Sequence, residues 1–152
     1  MKTDTPLLLE EYFFPVVQVV ANSSTPEEEI ELNFDINVTL RENESEGKKL
    51  YQVAVDIHST EEIEESKQPY TIHLVAIGIF SVVPEFPDIP KLLHITGSSM
   101  LYSAAREFLI TITSRGPWDA ISLPTFSFFN QYNTIIKKVT KSKKTDKIDG
   151  IK

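Results

Sequence analysis

The chain contains no cysteine. That excludes a disulfide framework, a thiolate metal site and a cysteine nucleophile. Only five glycines are scattered over 152 residues, too few and too dispersed for a phosphate-cradling loop or a nucleophile elbow. The three histidines, His58, His73 and His94, fall on different segments with no HxxxH or HExxH spacing, so no metal site is expected. No apolar run approaches ~18 residues, the length that reads as a membrane span. The segment Met1–Pro6 lacks a basic region leading into an apolar one, so a cytoplasmic protein with no membrane insertion is expected. Carboxylates are plentiful but fall in turns and on wet strand positions. No nucleophile, base or cofactor constellation emerges, and the chain does not read as an enzyme.

What is present is a core-forming composition, 41% hydrophobic and 24% charged, at a length suited to one domain. The net charge is −7, which disfavours a nucleic-acid partner. The charge is also lopsided. Residues 1–66 carry 16 acidic and 4 basic side chains, and residues 67–152 carry 6 and 11.

Periodicity locates the elements. From Ile30 to Arg41, Ile30, Leu32, Phe34, Ile36, Val38 and Leu40 alternate with polar residues, the signature of a strand packed on one face. The polar stretch Glu42–Gly47 reads as a turn. Tyr51, Val53, Val55 and Ile57 then mark a partner strand over Lys49–Ser59, so the pair reads as an antiparallel hairpin. Thr60–Gln68 reads as an acidic, solvated connection. Tyr70–Val83 is apolar on both faces, which calls for cover on both. Tyr12–Val20 reads as a further strand. Its Pro15 cannot donate to a ladder and favours an edge or a bulge, and Asn22–Glu29, with Pro26, reads as a turn.

The period then changes. Asp88 opens a short helical turn that breaks before Gly97. Ser98 or Ser99 caps a helix to about Ser114, with Leu101, Ala104, Ala105, Phe108 and Ile112 at helical spacing. Gly116 and Pro117 end it. Trp118–Thr125 is an extended apolar crossover. A second helix carries Phe128, Phe129, Tyr132, Ile135, Ile136 and Val139 on its apolar side. Strands grouped before helices indicate an α+β fold, a four-stranded antiparallel sheet followed by two helices packed on it. Residues 1–140 form the single expected domain, and 141–152 a flexible basic tail. The apolar surface exceeds what one such unit hides, so a homo-oligomer is expected.

The stretch from the strand Tyr70–Val83 onward resembles SecB, the bacterial export chaperone. The resemblance is carried by Gly78–Ser81 (GIFS), Met100–Glu107 (MLYSAARE), Ser114–Gly116 (SRG) and the crossover Ile121–Phe128 (ISLPTFSF), in matching order and spacing. It implies an ATP-independent holdase for unfolded polypeptides, assembled as a homotetramer, a dimer of dimers, with no cofactor. It implies a client-binding groove under the crossover, here Trp118, Ile121, Leu123, Phe126, Phe128, Phe129 and Tyr132, flanked by Phe34 and Ile36. Ile72, Leu74, Ala76, Leu101, Ala105, Phe108 and Ile112 are the oligomer interface that it suggests. Clients would be preproteins or the antitoxin of a toxin–antitoxin system. The acidic positions through which the export members dock to the motor SecA correspond here to His73 and, loosely, to Val16 and Val20, and the tail is basic. The scaffold is therefore better supported than a SecA connection. The alternative from another class is a non-catalytic interaction scaffold that binds one specific folded partner, its crossover aromatics packed as core.

Overall fold

A computed structural model describes residues 5–23, 33–60 and 68–149, with side chains to Lys141. The readings of Ile30 and Leu32 as a strand start, of a turn around Pro26 and of residues 61–67 as an acidic connection lie outside the described residues.

Four strands, β1 (Leu7–Ala21), β2 (Phe34–Ser45), β3 (Lys48–Ser59) and β4 (Tyr70–Val82), form one sheet in the order β1-β4-β3-β2. Every neighbouring pair is antiparallel. The alternation read from sequence sets the register. Ile36, Ile57 and Leu74 align across three strands, as do Val38, Val55 and Ala76. The inner face therefore presents Val53, Val55, Ile57, Ile72, Leu74 and Ala76, all buried. The outer face carries Asp56 and His58 of β3 and His73, Val75, Ile77 and Ile79 of β4, each part-exposed.

Pro15 behaves as expected of a residue without an N–H. It lies on edge strand β1, where the register shifts between Phe13 and Val16. The bulge frees Phe14 to stack on Phe108, centroids 4.7 Å apart.

The polar segment Glu42–Gly47 is mostly strand rather than turn. The β2–β3 ladder runs unbroken to Ser45 opposite Lys48, and the turn is confined to Glu46 and Gly47. Both have positive φ, 53° and 74°, as a type I′ hairpin loop requires. Because the loop's twist matches that of the strands, polar pairs such as Glu42–Lys49 (2.8 Å) extend the ladder into solvent. Glu46 is an L-residue without Asn's tolerance of this region. Glu46→Asn is expected to stabilise the protein by about 0.5–1 kcal/mol, read as a higher urea midpoint at unchanged m-value.

The helical region opens at Asp88, whose Oδ1 accepts from the Lys91 amide at 3.2 Å, ahead of α1 (Ile89–Leu92). The expected break before Gly97 is absent. A π-helical turn, Leu93–Gly97, joins α1 directly to α2 (Ser98–Thr113), and Gly97 is itself helical at φ −60°, ψ −47°. Neither serine caps a helix start: Ser98 is buried within the helix, and the Ser99 hydroxyl donates to the Ile95 carbonyl. The residue inserted by a π turn re-phases the helix and sets Gly97 over Phe80 and Val53.

Leu101, Ala105 and Leu109 of α2 are buried with the inner face of the sheet in one core. The approach is tight at Gly78, where an added Cβ would stand 2.9 Å from Leu101 Cδ2. This corrects the interface expected from sequence. Ile72, Leu74, Ala76, Leu101 and Ala105 lie inside one protomer, because α2, the π turn and residues Ile121, Leu123 and Phe128 together cover this part of the sheet face. Phe108 and Ile112 are part-exposed. The final helix, α3, spans Phe128–Asp149 and so crosses the boundary expected at residue 140.

Candidate functional site

The crossover between α2 and α3, residues 114–127, is clamped at several points. The Tyr70 hydroxyl accepts from the Trp118 amide (3.1 Å) and lies 3.4 Å from the carbonyls of Thr113 and Trp118. Thr113 Oγ1 accepts from the Ile121 amide at 2.8 Å. The Trp118 indole N–H donates to the Asn22 carbonyl at 3.0 Å. The Tyr102 hydroxyl donates to the Pro124 carbonyl. Burial raises the pKa of Tyr102, against a smaller opposing pull from Arg106, so the phenol stays a donor at neutral pH.

These clamps decide which of the expected groove residues are available. Ile121, Leu123, Phe128 and Ile36 are buried in the core. They hold the crossover to the sheet and do not line an open trough. Backbone on a loop is fixed here by hydrogen bonds to Tyr70, Thr113 and Tyr102, so its apolar side chains turn inward. Trp118, Phe126, Phe34 and Tyr132 are part-exposed, and Phe129 is exposed. Phe126 packs edge-on against Phe128 at 4.8 Å.

Helix α3 supplies the surface that the crossover does not. Ser127 Oγ accepts from the Asn130 amide (3.1 Å) and caps its start. Gln131 then anchors the first turns: its amide donates to the Ile36 carbonyl of β2 at 2.7 Å, and its Oε1 meets His94 Nε2 at 2.8 Å. The Gln131 oxygen can only accept, so that bond needs the proton on His94 Nε2. Tyr132 lies against the His94 ring at 5.5 Å. Its pKa is raised, by burial first and by the nearby Asp88 charge second. Along this helix, Phe129, Ile135, Ile136 and Val139 are 43–51% exposed, an apolar stripe at helical spacing, with the Lys91 ammonium 5.9 Å over the Phe129 ring.

One concavity flanks this helix and a separate one flanks the β2–β3 hairpin. One, of about 550 Å³, is lined by Asn37, Phe126, Asn130, Gln131, Ile135 and Lys138 among others. The other, of about 480 Å³, lies between the hairpin and α1, with Leu40, Tyr51 and Leu93 in its lining and Arg41, Glu42 and Lys49 as its charged groups. Gln131, Asn37 and Lys138 had no sequence signal, because polar residues at helix and strand positions look alike whether they face solvent or a groove. Ile135, Ile136 and Val139 were visible as an apolar helix face, but their exposure was not.

The histidines are less scattered than their spacing suggested. His58 and His73 meet on the outer face, ring centroids 6.0 Å apart, sharing Asp56 Oδ1 at 3.3 and 3.2 Å. Among the described residues, no group of three His, Cys, Asp or Glu side chains could hold a metal ion. No helix there is long and apolar enough to cross a membrane.

Comparison with known proteins bears on this geometry. The SecB family profile, described as preprotein translocase subunit SecB, matches residues 15–138. No curated protein matches the chain. Among solved structures, the chain is similar to the Mycobacterium tuberculosis Rv1957 SecB-like chaperone in complex with a ChAD peptide from the Rv1956 HigA1 antitoxin. The TM-score is 0.57 at 15% identity, covering 80% of this chain and 91% of that one.

Proposed function

Because the chain belongs to the SecB family, we propose that it is an ATP-independent chaperone that holds unfolded polypeptide segments along α3 and the adjoining edge of the sheet. The observation that carries this is the half-exposed apolar stripe of Phe129, Ile135, Ile136 and Val139 beside an open concavity. A holdase needs apolar area with adaptable polar neighbours rather than one shaped pocket, and aromatic and aliphatic side chains supply most of the binding free energy. Assembly as a homotetramer fits the part-exposed Val75, Ile77 and Ile79 on the outer sheet face, which a second copy would cover, and a cytoplasmic location is part of the same proposal. Preproteins and an antitoxin are both compatible clients, the latter in line with the antitoxin peptide held by the structural neighbour.

The test is aggregation of a chemically unfolded model protein at a stoichiometric amount of this chain without nucleotide. Protection is expected. The double variant Phe129→Ser/Ile136→Ser should weaken client affinity about 10- to 100-fold with unchanged circular dichroism and melting. Absence of both protection and binding by the wild-type chain would refute the proposal. A second reading, a scaffold for one folded partner, draws on the burial of Ile121 and Leu123 in the crossover. It predicts no affinity for unfolded chains and one stoichiometric partner in a pull-down.

A further inference from the structure

The net charge of −7 would, as a far field, favour basic partners. The groups next to the concavities have the opposite sign. The concavity beside α3 has one ionic group in its lining, Lys138. The one at the hairpin has Arg41 and the Lys49–Glu42 pair, 2.8 Å apart, whose charges offset each other. From Phe128 to Lys141, α3 carries Lys137, Lys138 and Lys141 and no acidic residue. Two carboxylates described elsewhere, Asp35 and Asp56, are engaged with His58 and His73 on the opposite side of the sheet.

We infer that the groove along α3 selects apolar polypeptide segments flanked by carboxylates, against the sign of the molecule's net charge. The inference rests on the chaperone reading above and narrows its client class. At physiological ionic strength charges act over about 8 Å, so a bound segment responds to the groups lining its site and little to the total. The spacing adds detail. Ile135 and Lys138 line the same concavity and lie about 4.5 Å apart along the helix axis at 1.5 Å per residue. An extended chain advances about 3.3 Å per residue. A client side chain seated against Phe126 and Ile135 therefore brings a carboxylate one or two residues away to Lys138. Among the described residues, Lys138 makes no ion pair that would compete.

The test uses the full chain and labelled peptides sharing one aromatic–aliphatic core, flanked by Glu, Ser or Lys, titrated by fluorescence anisotropy. The Glu-flanked peptide is expected to bind about five- to tenfold tighter than the Lys-flanked one in dilute buffer, with the gap closing to about twofold or less near 0.5 M salt. Lys138→Glu should reverse the order. Lys48→Glu makes the same change in net charge at the hairpin and should leave it as in wild type. Equal affinities, a preference for the Lys-flanked peptide, or equal effects of the two charge swaps would overturn the inference while leaving the chaperone reading intact. Failure of all three peptides to bind would sink both.

Discussion

Leu101→Ala is expected to lower the unfolding free energy by about 3–5 kcal/mol, the upper part of the range for buried leucines. The residue is 1% exposed and packs tightly over β4. The strand residue opposite is Gly78, at which an added Cβ would lie 2.9 Å from the leucine and 2.7 Å from Phe80 Cε2. Glycine has no side chain to move into the space left by the lost isobutyl group, and Phe80, at 0% exposed, is held on both sides. The cavity therefore persists and its full cost is felt. Against a total stability of about 5–15 kcal/mol, this one substitution removes a large share. Urea unfolding followed by far-ultraviolet circular dichroism measures it. A shift under about 1 kcal/mol, or loss of an oligomer with the protomer's stability unchanged, would place Leu101 at a subunit interface instead. Ile112→Asp is the informative companion. Being part-exposed, Ile112 tolerates a charge without unfolding the protomer, so its effect reports on assembly.

Gly116→Ala should cost about 2–4 kcal/mol, for reasons of space and hydrogen bonding. An alanine Cβ would overlap the Tyr70 hydroxyl and stand 2.9 Å from its Cζ and 3.0 Å from Cε1. Tyr70 is 2% exposed and cannot swing into solvent. Its hydroxyl also accepts from the Trp118 amide, so displacing it leaves a part-buried N–H without its partner and loosens the crossover at its first anchor. Tyr70→Phe removes the overlapping oxygen. In a double-mutant cycle the pair should couple by at least about 1 kcal/mol, the second substitution costing less in the presence of the first. The chain has a single tryptophan, next to this contact, so fluorescence reports crossover release directly. Strict additivity of the two substitutions would refute the contact.

Much of this molecule was legible before its coordinates. The alternation of β2 from Phe34 to Arg41, the hairpin with β3, the bulge at Pro15 and the order of four strands before the helices all follow from side-chain period and from proline's missing donor. The π turn was not legible. Gly97 reads locally as a breaker, but tertiary packing on Phe80 and Val53 keeps the backbone helical there. The length of the β2–β3 ladder was also hidden, because two positive-φ residues suffice for the turn and polar pairs can extend a strand as well as end it.

The amino-acid sequence by itself determined the fold class and the family resemblance, since these depend on residue type and on spacing along the chain. Only the tertiary structure decided which apolar residues are core and which are surface. Leu123 and Ile136 look equally apolar in one dimension. Hydrogen bonds from the crossover to Tyr70, Thr113 and Tyr102 turn the first inward, while Gln131 fixes α3 at an angle that leaves the second exposed. Which ionic groups line each concavity was decided in the same way, and no sum over the chain contains that information.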